Sequence, residues 1–281
     1  MLNKEKIDHI IISALNEDVE AGDITTNAIL DDSKMAKAMF IAKQNGIIAG
    51  LDVCERVFTL WDNSIVFSKK LSDGNIVLNG DIIAVVEGKA KTILTCERTA
   101  LNFLQRMSGI ATLASKYVEI VKGTDTKILD TRKTAPGLRY FDKLAVKIGG
   151  ADNHRYGLFD MFLIKDNHID VAGSITEAVS LCRNFMKTVG KSYKIEVETK
   201  NLEEVKEALS CKADIIMLDN FSIDAMKEAV LFINKRCKVE ASGGITIDNL
   251  RETAEAGVDF ISVGALTHSV KGLDISLLTC K

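Results

Sequence analysis

The N-terminal part of the chain combines one helical pattern with several short strand patterns. Apolar residues recur at helical spacing near the start, at Ile7, Ile10, Ile11, Ala14 and Leu15. Apolar runs follow at residues 35–42, 47–49, 65–67 and 82–86, and Gln44-Asn45-Gly46 predicts a hairpin between the first two. We therefore predict a small N-terminal α+β domain, an open sandwich, over residues 1–105.

Apolar positions between residues 92 and 121 keep the 3.6-residue period of one long helix. Ser108-Gly109 lies inside this pattern and marks a candidate break, because glycine weakens a helix interior. We expect this helix to link the two halves of the chain.

The remainder of the chain alternates strand patterns with amphipathic helices. Strand-like runs occupy residues 127–129, 161–164, 194–197, 214–218, 238–241 and 260–263, with helical patterns at 174–187, 202–209 and 224–235. This alternation predicts parallel strands joined by right-handed crossovers. A doubly wound sheet also fits, but polar residues after six strands favour a TIM-like α/β barrel over residues 106–281, whose C-terminal tail can pack back on the N-terminal domain.

Polar residues follow directly after the predicted barrel strands, at the edge where barrel active sites lie. The strand-end residues are Asp130, Arg132, Lys165, Glu198, Asp219, Ser242 and Gly264. Arg132 suits two-pronged recognition of a carboxylate, and the adjacent Lys133 suits a phosphate. A solvated loop is the alternative for this pair, and a Schiff base is the alternative role for Lys165.

Carboxylates and glycines complete the predicted edge. Glu198 and Asp219 could orient cations, hold ribose hydroxyls or Mg²⁺, or form a glycosidase pair, but the excess of cations favours an anionic substrate. The segments Ser242-Gly243-Gly244 and Gly264-Ala265 predict a phosphate site, because glycine lets phosphate approach backbone N–H groups. The histidines lack the close spacing of a zinc pair.

Composition narrows the class of protein. The chain has 281 residues, 47% of them hydrophobic, and a net charge of −3, which argues against generic nucleic-acid binding. Its 6 cysteines contain no Cys-x-x-Cys pair, so we expect reduced thiols and a cytoplasmic protein. No apolar run reaches membrane-spanning length and no signal-peptide pattern is present, so we expect neither membrane insertion nor secretion.

Eight ordered segments carry a resemblance to a known family. They are Glu97-Arg98-Thr99-Ala100-Leu101-Asn102, Thr131-Arg132-Lys133-Thr134, Asn153-His154-Arg155-x-Gly157-Leu158, Ile164-Lys165-Asp166-Asn167-His168-Ile169, Glu196-Val197-Glu198, Leu218-Asp219-Asn220, Ser242-Gly243-Gly244 and Val263-Gly264-Ala265-Leu266-Thr267-His268. Together they closely resemble quinolinate phosphoribosyltransferases, from the Glu17-Asp18 stretch to the C-terminus. One departure is Ala151-Asp152, where a third glycine is common; we expect it to alter the loop and not the chemistry.

The resemblance implies transfer of phosphoribose from phosphoribosyl pyrophosphate to quinolinate, with loss of CO₂, giving nicotinate mononucleotide and pyrophosphate. It implies Mg²⁺ with the phosphoribosyl donor, no organic cofactor, and a homodimer or dimer-based hexamer in which Arg98 completes the neighbouring site. By the same likeness Arg98, Arg132, His154 and Arg155 bind the dicarboxylate, Lys133 and Lys165 stabilise pyrophosphate, and Glu198 and Asp219 hold ribose and metal. Ser242, Gly243 and Gly264 seat the 5′-phosphate, and Gly244, Ala265 and His268 also belong to the substrate site.

Other functions stay open at this stage. A related-fold phosphoribosyltransferase could act on another base such as nicotinate, but two arginines and a histidine for one ring favour two carboxylates. A class I aldolase-type barrel would use Lys165 as an imine nucleophile, and a regulatory nucleotide-binding module would need neither Lys165 nor Arg98. A molybdenum-operon relative shares the fold, but the Lys165-Asp166-Asn167-His168 run favours the transferase.

Overall fold

The computed structural model describes residues 4–280, and side chains from Lys6 onward. The helices are α1 (Lys4–Val19), α2 (Ile24–Ile29), α3 (Leu51–Trp61), α4 (Ala90–Ile120), α5 (Arg139–Ile148), α6 (Asp166–Ala172), α7 (Ile175–Val189), α8 (Leu202–Ser210), α9 (Ile223–Ile233), α10 (Ile247–Glu255) and α11 (Ala265–His268). The strands are β1 (Met35–Ala42), β2 (Gly46–Ile47), β3 (Val66–Lys69), β4 (Ile76–Val77), β5 (Ile82–Lys89), β6 (Lys127–Leu129), β7 (Phe162–Ile164), β8 (Ile195–Thr199), β9 (Ile215–Asp219), β10 (Lys238–Ser242), β11 (Phe260–Ser262) and β12 (Ile275–Thr279). Within this part of the chain, no helix has both the length and the apolar composition that crossing a membrane requires.

The chain forms two compact units, each built from more than one stretch of sequence. The first unit contains the chain up to Ser115, together with Thr134–Gly150 and the chain from Ala265 onward. The second unit contains Lys116–Lys133 and Ala151–Gly264.

The first unit contains a four-stranded antiparallel sheet in the order β12-β1-β5-β3. Strand β1 buries alternate side chains, which is the period of a strand with one face in a core. On that face Phe40 lies 6.2 Å from Phe58 of α3 and 5.8 Å from Phe67 of β3, measured between ring centroids. These aromatic contacts are part of the first unit's core.

Two sequence predictions for the first unit are wrong. The predicted hairpin does not form, because β2 pairs with β4, whereas β1 pairs with β12 and β5. Helix α4 is unbroken at Gly109, where a Cβ atom would lie 2.2 Å from the Lys271 carbonyl oxygen. The glycine therefore permits close backbone packing and does not end the helix.

The second unit contains a six-stranded parallel sheet in the order β6-β11-β10-β9-β8-β7. Helices α7, α8, α9 and α10 connect successive strands, and every residue of β8 is buried. The predicted fold class, an N-terminal α+β part followed by a TIM-like α/β barrel, is confirmed. Among residues 4–280 no ladder joins β6 to β7; an isolated parallel bridge links Leu129 to Asp152.

Polar side chains fix the starts of the crossover helices. Ser174, Asn201 and Ser222 each accept a hydrogen bond from a backbone N–H of the first turn of α7, α8 and α9. Such caps satisfy N–H groups that have no partner within the helix. The loops that leave the C-terminal ends of the strands are thereby held against well-defined helices.

Candidate active site

A cavity of about 610 Å³ lies at the C-terminal ends of the parallel strands in the second unit. Its lining residues are Thr131, Arg132, Lys133, His154, Arg155, Leu163, Lys165, Glu198, Met217, Asp219, Asn220, Glu240, Ser242, Gly243 and Ser262. The structure therefore brings most of the predicted site residues together, although they are far apart in sequence. This is the edge at which barrel active sites form.

Five predicted site residues do not line this cavity, which is drawn from the described residues alone. Gly244 directly follows Gly243, and Gly264 directly follows β11. Ala265 and His268 are the first and last residues of α11, and Arg98 belongs to α4 in the first unit.

Lys165 and Glu198 form an ion pair in the cavity wall. Lys165 directly follows β7 and precedes α6, while Glu198 belongs to the adjacent strand β8. The Lys165 Nζ atom donates to Oε2 of Glu198, whose side chain is only 10% exposed. This pairing holds the Lys165 side chain at the cavity wall, next to a carboxylate of the same cavity.

Asp219 is held by the residue that follows it. The Asn220 side chain donates from Nδ2 to Asp219 Oδ2 at 2.8 Å, and its backbone N–H donates to the Ser242 carbonyl at 2.9 Å. Asn220 has a φ of 55°, a left-handed conformation that asparagine tolerates better than most residues. A Cβ atom on Gly243 would lie 2.3 Å from Asn220 Oδ1, so this loop requires glycine.

Arg155 and Arg132 place two guanidinium groups at one side of the cavity. Burial, followed by the positive charge of Arg132, lowers the pKa of Arg155. Arg155 also donates from an Nη atom to the Met161 carbonyl at 3.3 Å, which fixes one side of its guanidinium. Two guanidinium groups in the wall of one cavity favour binding of an anion that carries more than one negative charge.

The ring of His154 lies against two buried carboxylates and is hydrogen-bonded to one of them. Its Nε2 atom lies 2.9 Å from Glu196 Oε2 and 3.4 Å from Glu240 Oε2. Burial alone would lower the pKa of His154, but the interactions with Glu196 and Glu240 outweigh it and raise the pKa to about 10. The backbone N–H of His154 also donates to Asp130 Oδ1 at 2.9 Å, so both backbone and ring are anchored.

Glu196 and Glu240 had no predicted role, although Glu196 lies in the Glu196-Val197-Glu198 motif. Both side chains are fully buried, two positions before the strand-end residues Glu198 and Ser242. Since side chains alternate along a strand, positions two apart share a face. A glutamate two residues before a polar strand-end residue, and so on the same face of the strand, is the signal that could have identified them.

Two sets of side chains have the chemistry of metal ligands. Donor atoms of His154, Glu196 and Glu240 lie within 4.8 Å of one another, close enough for one ion. Glu198 and Asp219 are the cavity carboxylates predicted to hold Mg²⁺, and their hard oxygen atoms at the cavity wall fit that ion together with phosphate oxygens.

Comparisons with known proteins agree with this geometry. Residues 23–108 match the family described as quinolinate phosphoribosyl transferase, N-terminal domain, and residues 110–278 match its C-terminal domain. This chain belongs to the quinolinate phosphoribosyltransferase family. The resemblance inferred from the sequence motifs is thereby confirmed.

Individual members of this family are similar to the chain over most of their length. A carboxylating, chloroplastic nicotinate-nucleotide pyrophosphorylase of Oryza sativa subsp. japonica is 45% identical, covering 95% of this chain and 76% of that protein. A probable carboxylating nicotinate-nucleotide pyrophosphorylase of Bacillus subtilis is 40% identical, covering 98% of this chain and 92% of that protein. The crystal structure of NadC from Streptococcus pyogenes has a TM-score of 0.94 at 40% identity, covering 100% of this chain and 99% of that chain.

The departure from the family pattern at Ala151-Asp152 lies beside the first barrel strand. The Asp152 backbone N–H donates to the Ile128 carbonyl at 2.8 Å, and the Asp130 N–H donates to the Asp152 carbonyl at 3.1 Å. These bonds extend the edge of the sheet by one bridge. Asp152 thus forms regular backbone pairs that do not need a glycine.

Arg98 lines a separate cavity of about 300 Å³ within the first unit. Its other lining residues are Ala14, Glu17, Asp18, Thr99, Asn102, Phe103, Arg106 and Leu138. Arg106 is fixed by two hydrogen bonds of 2.8 Å to the fully buried carboxylate of Asp142.

Proposed function

We propose that this protein transfers the phosphoribosyl group of phosphoribosyl pyrophosphate to quinolinate, with decarboxylation, to give nicotinate mononucleotide, pyrophosphate and CO₂. The main support for this proposal is that two guanidinium groups, an anchored histidine and a lysine–glutamate pair line one cavity. Two acidic reactants need this density of positive charge. Family membership and the names of the relatives support the same reaction.

Quinolinate would bind through Arg132, Arg155 and His154. Its two adjacent carboxylates match two guanidinium groups, each of which can form a two-pronged hydrogen bond. Arg98 would complete the carboxylate site of a neighbouring subunit in a homodimer or a dimer-based hexamer. Nicotinate has one carboxylate, so a related transferase acting on nicotinate is the second candidate, and the paired arginines favour quinolinate over it.

The phosphoribosyl donor would occupy the rest of the cavity. Lys133 and Lys165 would stabilise the pyrophosphate, while Glu198 and Asp219 would hold the ribose hydroxyls and Mg²⁺. Ser242, Gly243 and Gly264 would seat the 5′-phosphate, with Gly244, Ala265 and His268 beside it. When bound, the metal ion would neutralise part of the negative charge on the pyrophosphate.

Catalysis would depend on position and charge. The quinolinate nitrogen attacks the anomeric carbon as pyrophosphate leaves through an oxocarbenium-like state, and Lys165 lies where it can stabilise the leaving charge. When CO₂ departs, its bonding electron pair stays at ring carbon C2, where the adjacent positively charged nitrogen stabilises it, and C2 then takes up a proton from water to give nicotinate mononucleotide. No organic cofactor is required for either step.

We also propose a reducing compartment, with the cytoplasm as the first choice. Cys54, Cys96, Cys182, Cys211, Cys237 and Cys280 are free thiols, which supports a reducing environment. The family matches on either side of residue 109 support our proposed domain boundary between residues 105 and 106.

The test is a product assay. Purified protein is mixed with quinolinate, phosphoribosyl pyrophosphate and MgCl₂, and nicotinate mononucleotide is measured by chromatography, with nicotinate as the comparison base. We expect product from quinolinate and far less from nicotinate. A higher kcat/KM with nicotinate would assign the second candidate function, and no product from either base would contradict both.

A further inference from the structure

Glu196 and Glu240 place two carboxylic side chains in the interior of the parallel sheet, where carboxylates are rare. They belong to β8 and β10, which both pair with β9, and the relative exposure of each side chain is 0%. Glu196 Oε1 and both Glu240 oxygens accept no hydrogen bond from the described residues. Burial of such groups is unfavourable, so their presence calls for a function.

The group that both carboxylates approach is the ring of His154. Nε2 is 2.9 Å from Glu196 Oε2 and 3.4 Å from Glu240 Oε2, and the His154 side chain is only 7% exposed. A carboxylate can only accept a hydrogen bond, so Nε2 carries a proton, and the two carboxylates hold this end of the ring in place. His154 and Glu240 both line the cavity, so this fixed ring forms part of its wall.

Negative charge beside a cavity for acidic reactants would weaken their binding, unless that charge is used to orient a neighbouring group. The neighbouring cations Arg132, Arg155 and Lys165 act directly on the cavity, whereas Glu196 reaches it through His154. Carboxylates that orient a histidine are a general device for preparing the ring to bind or transfer a proton.

We propose that Glu196 and Glu240 are positioning residues that hold His154 as a fixed hydrogen-bond donor to a carboxylate of the pyridine substrate. The inference rests on the proposed function for the identity of that substrate. Glu196 makes the shorter contact and has the larger role. The phosphoribosyl donor does not depend on this pair, because its proposed partners are other residues.

The first measurement compares the KM values of three variants with those of the wild type. Glu196→Leu removes the acceptor, Glu196→Gln keeps an acceptor without charge, and Glu240→Gln tests the longer contact. We expect the quinolinate KM to rise about tenfold or more in Glu196→Leu, as for loss of a charge-assisted hydrogen bond, and less in both glutamine variants. The KM for phosphoribosyl pyrophosphate stays near the wild-type value in all three.

Thr199→Val is the matched control. Thr199 is buried on the same strand β8 and donates to the Met217 carbonyl at 2.8 Å, but it does not line the cavity. Loss of this hydrogen bond tests for general damage to the strand, and we expect both KM values to stay unchanged. Equal rises in both KM values in Glu196→Leu, or a wild-type quinolinate KM, would overturn the inference.

A second measurement needs no substrate and separates this inference from the proposed reaction. The chain has 4 histidines, so the ring ¹⁵N signals of His154 can be assigned by comparison with His154→Asn. We expect those signals to move in Glu196→Leu and Glu196→Gln but not in Thr199→Val. Unmoved signals in both glutamate variants overturn the positioning role, whereas a wild-type protein without product contradicts only the proposed function.

Discussion

The two sheets of this protein bury their side chains for different purposes. In the antiparallel sheet of the first unit, β1 alternates buried and less buried positions, and the fully buried ones are Ala38, Phe40 and Ala42. In the parallel sheet of the second unit all of β8 is buried, including Glu196 and Glu198. An apolar interior serves stability, whereas buried carboxylates reduce stability unless paired. The comparison indicates that the first sheet is organised for folding and the second partly for chemistry.

The largest expected effect is on folding, from Phe40→Ala in the first sheet. Phe40 is fully buried against Phe58 and Phe67, so the change should lower the free energy of unfolding by about 3–5 kcal/mol. Urea denaturation measures it, and kcat of the folded fraction should stay near wild type. Val66→Ala on β3 is the control, because Val66 is 59% exposed. A loss below about 1 kcal/mol would contradict the comparison.

In the second unit, Lys165→Ala should impair catalysis and leave stability nearly unchanged. Loss of the ammonium that pairs with Glu198 should lower kcat by about 10²-fold or more, as for removal of a preorganised charge, with little change in Tm. Steady-state assays and thermal melts measure the two effects. Lys200→Ala is the matched control, because Lys200 forms an exposed pair with Asp166 at 3.1 Å and does not line the cavity. Normal turnover of Lys165→Ala would exclude the proposed role.

Gly243→Ala should weaken binding of phosphoribosyl pyrophosphate. Gly243 has a φ of 87° and no room for a Cβ beside Asn220, so the loop must shift. We expect the KM for this substrate to rise about tenfold, equivalent to modest backbone strain. Gly190→Ala is the control, since Gly190 has a φ of 65° at the end of α7 and nothing within 4 Å of its would-be Cβ. Similar kinetics for both variants would mean that the crowded loop has no role in binding.

The sequence was sufficient to predict most strands of the second unit, but it was insufficient to predict the strand pairing of the first. The six barrel strands lie where apolar runs predicted them, because buried parallel strands leave continuous local signals. The partners of β1 could not be predicted, because β12 and β5 are distant in sequence and antiparallel pairing leaves no local mark. Gly109 was misread for the same reason, since the backbone that requires it is at Lys271.

Most of the cavity lining could be predicted from the strand ends, because the C-terminal ends of parallel strands meet at one edge of the sheet however the side chains pack. Lys165, Glu198, Asp219 and Ser242 could therefore be identified from position alone. Glu196 and Glu240 could not, since their importance lies in distances to His154 that no spacing rule provides. Arg98 was reached only through family resemblance, and its role in a partner's site stays a prediction.

In the first unit, the charged side chain of Asp23 should contribute to stability by capping the N-terminus of helix α2. Asp23 accepts a hydrogen bond from the Thr26 backbone N–H at 2.9 Å, and hydrogen bonds from Thr26 lower the pKa of Asp23 below its usual 3.8. Asp23→Ala should reduce the free energy of unfolding by about 1 kcal/mol at neutral pH. Because the folded pKa is lowered, this contribution is present above the usual pKa and is lost as pH falls through the lowered one. Urea denaturation at several pH values measures it; a difference that persists in acid would contradict capping by the carboxylate.

The smallest effect should come from charges on the outside of the second unit. Arg251 pairs with Glu255 one turn later on α10 at 2.7 Å, and both side chains are about half exposed. Solvent screens such pairs, so Glu255→Ala should change the free energy of unfolding by only about 0.3–0.5 kcal/mol, less at high salt, and should leave both KM values unchanged. Arg251 keeps its bonds to the carbonyls of Ile120 and Lys122, so the variant isolates the ion pair. Urea denaturation at two salt concentrations measures it. A loss as large as that of Phe40→Ala would mean that charge stabilises the second unit from its surface, and the division between the two sheets would fail.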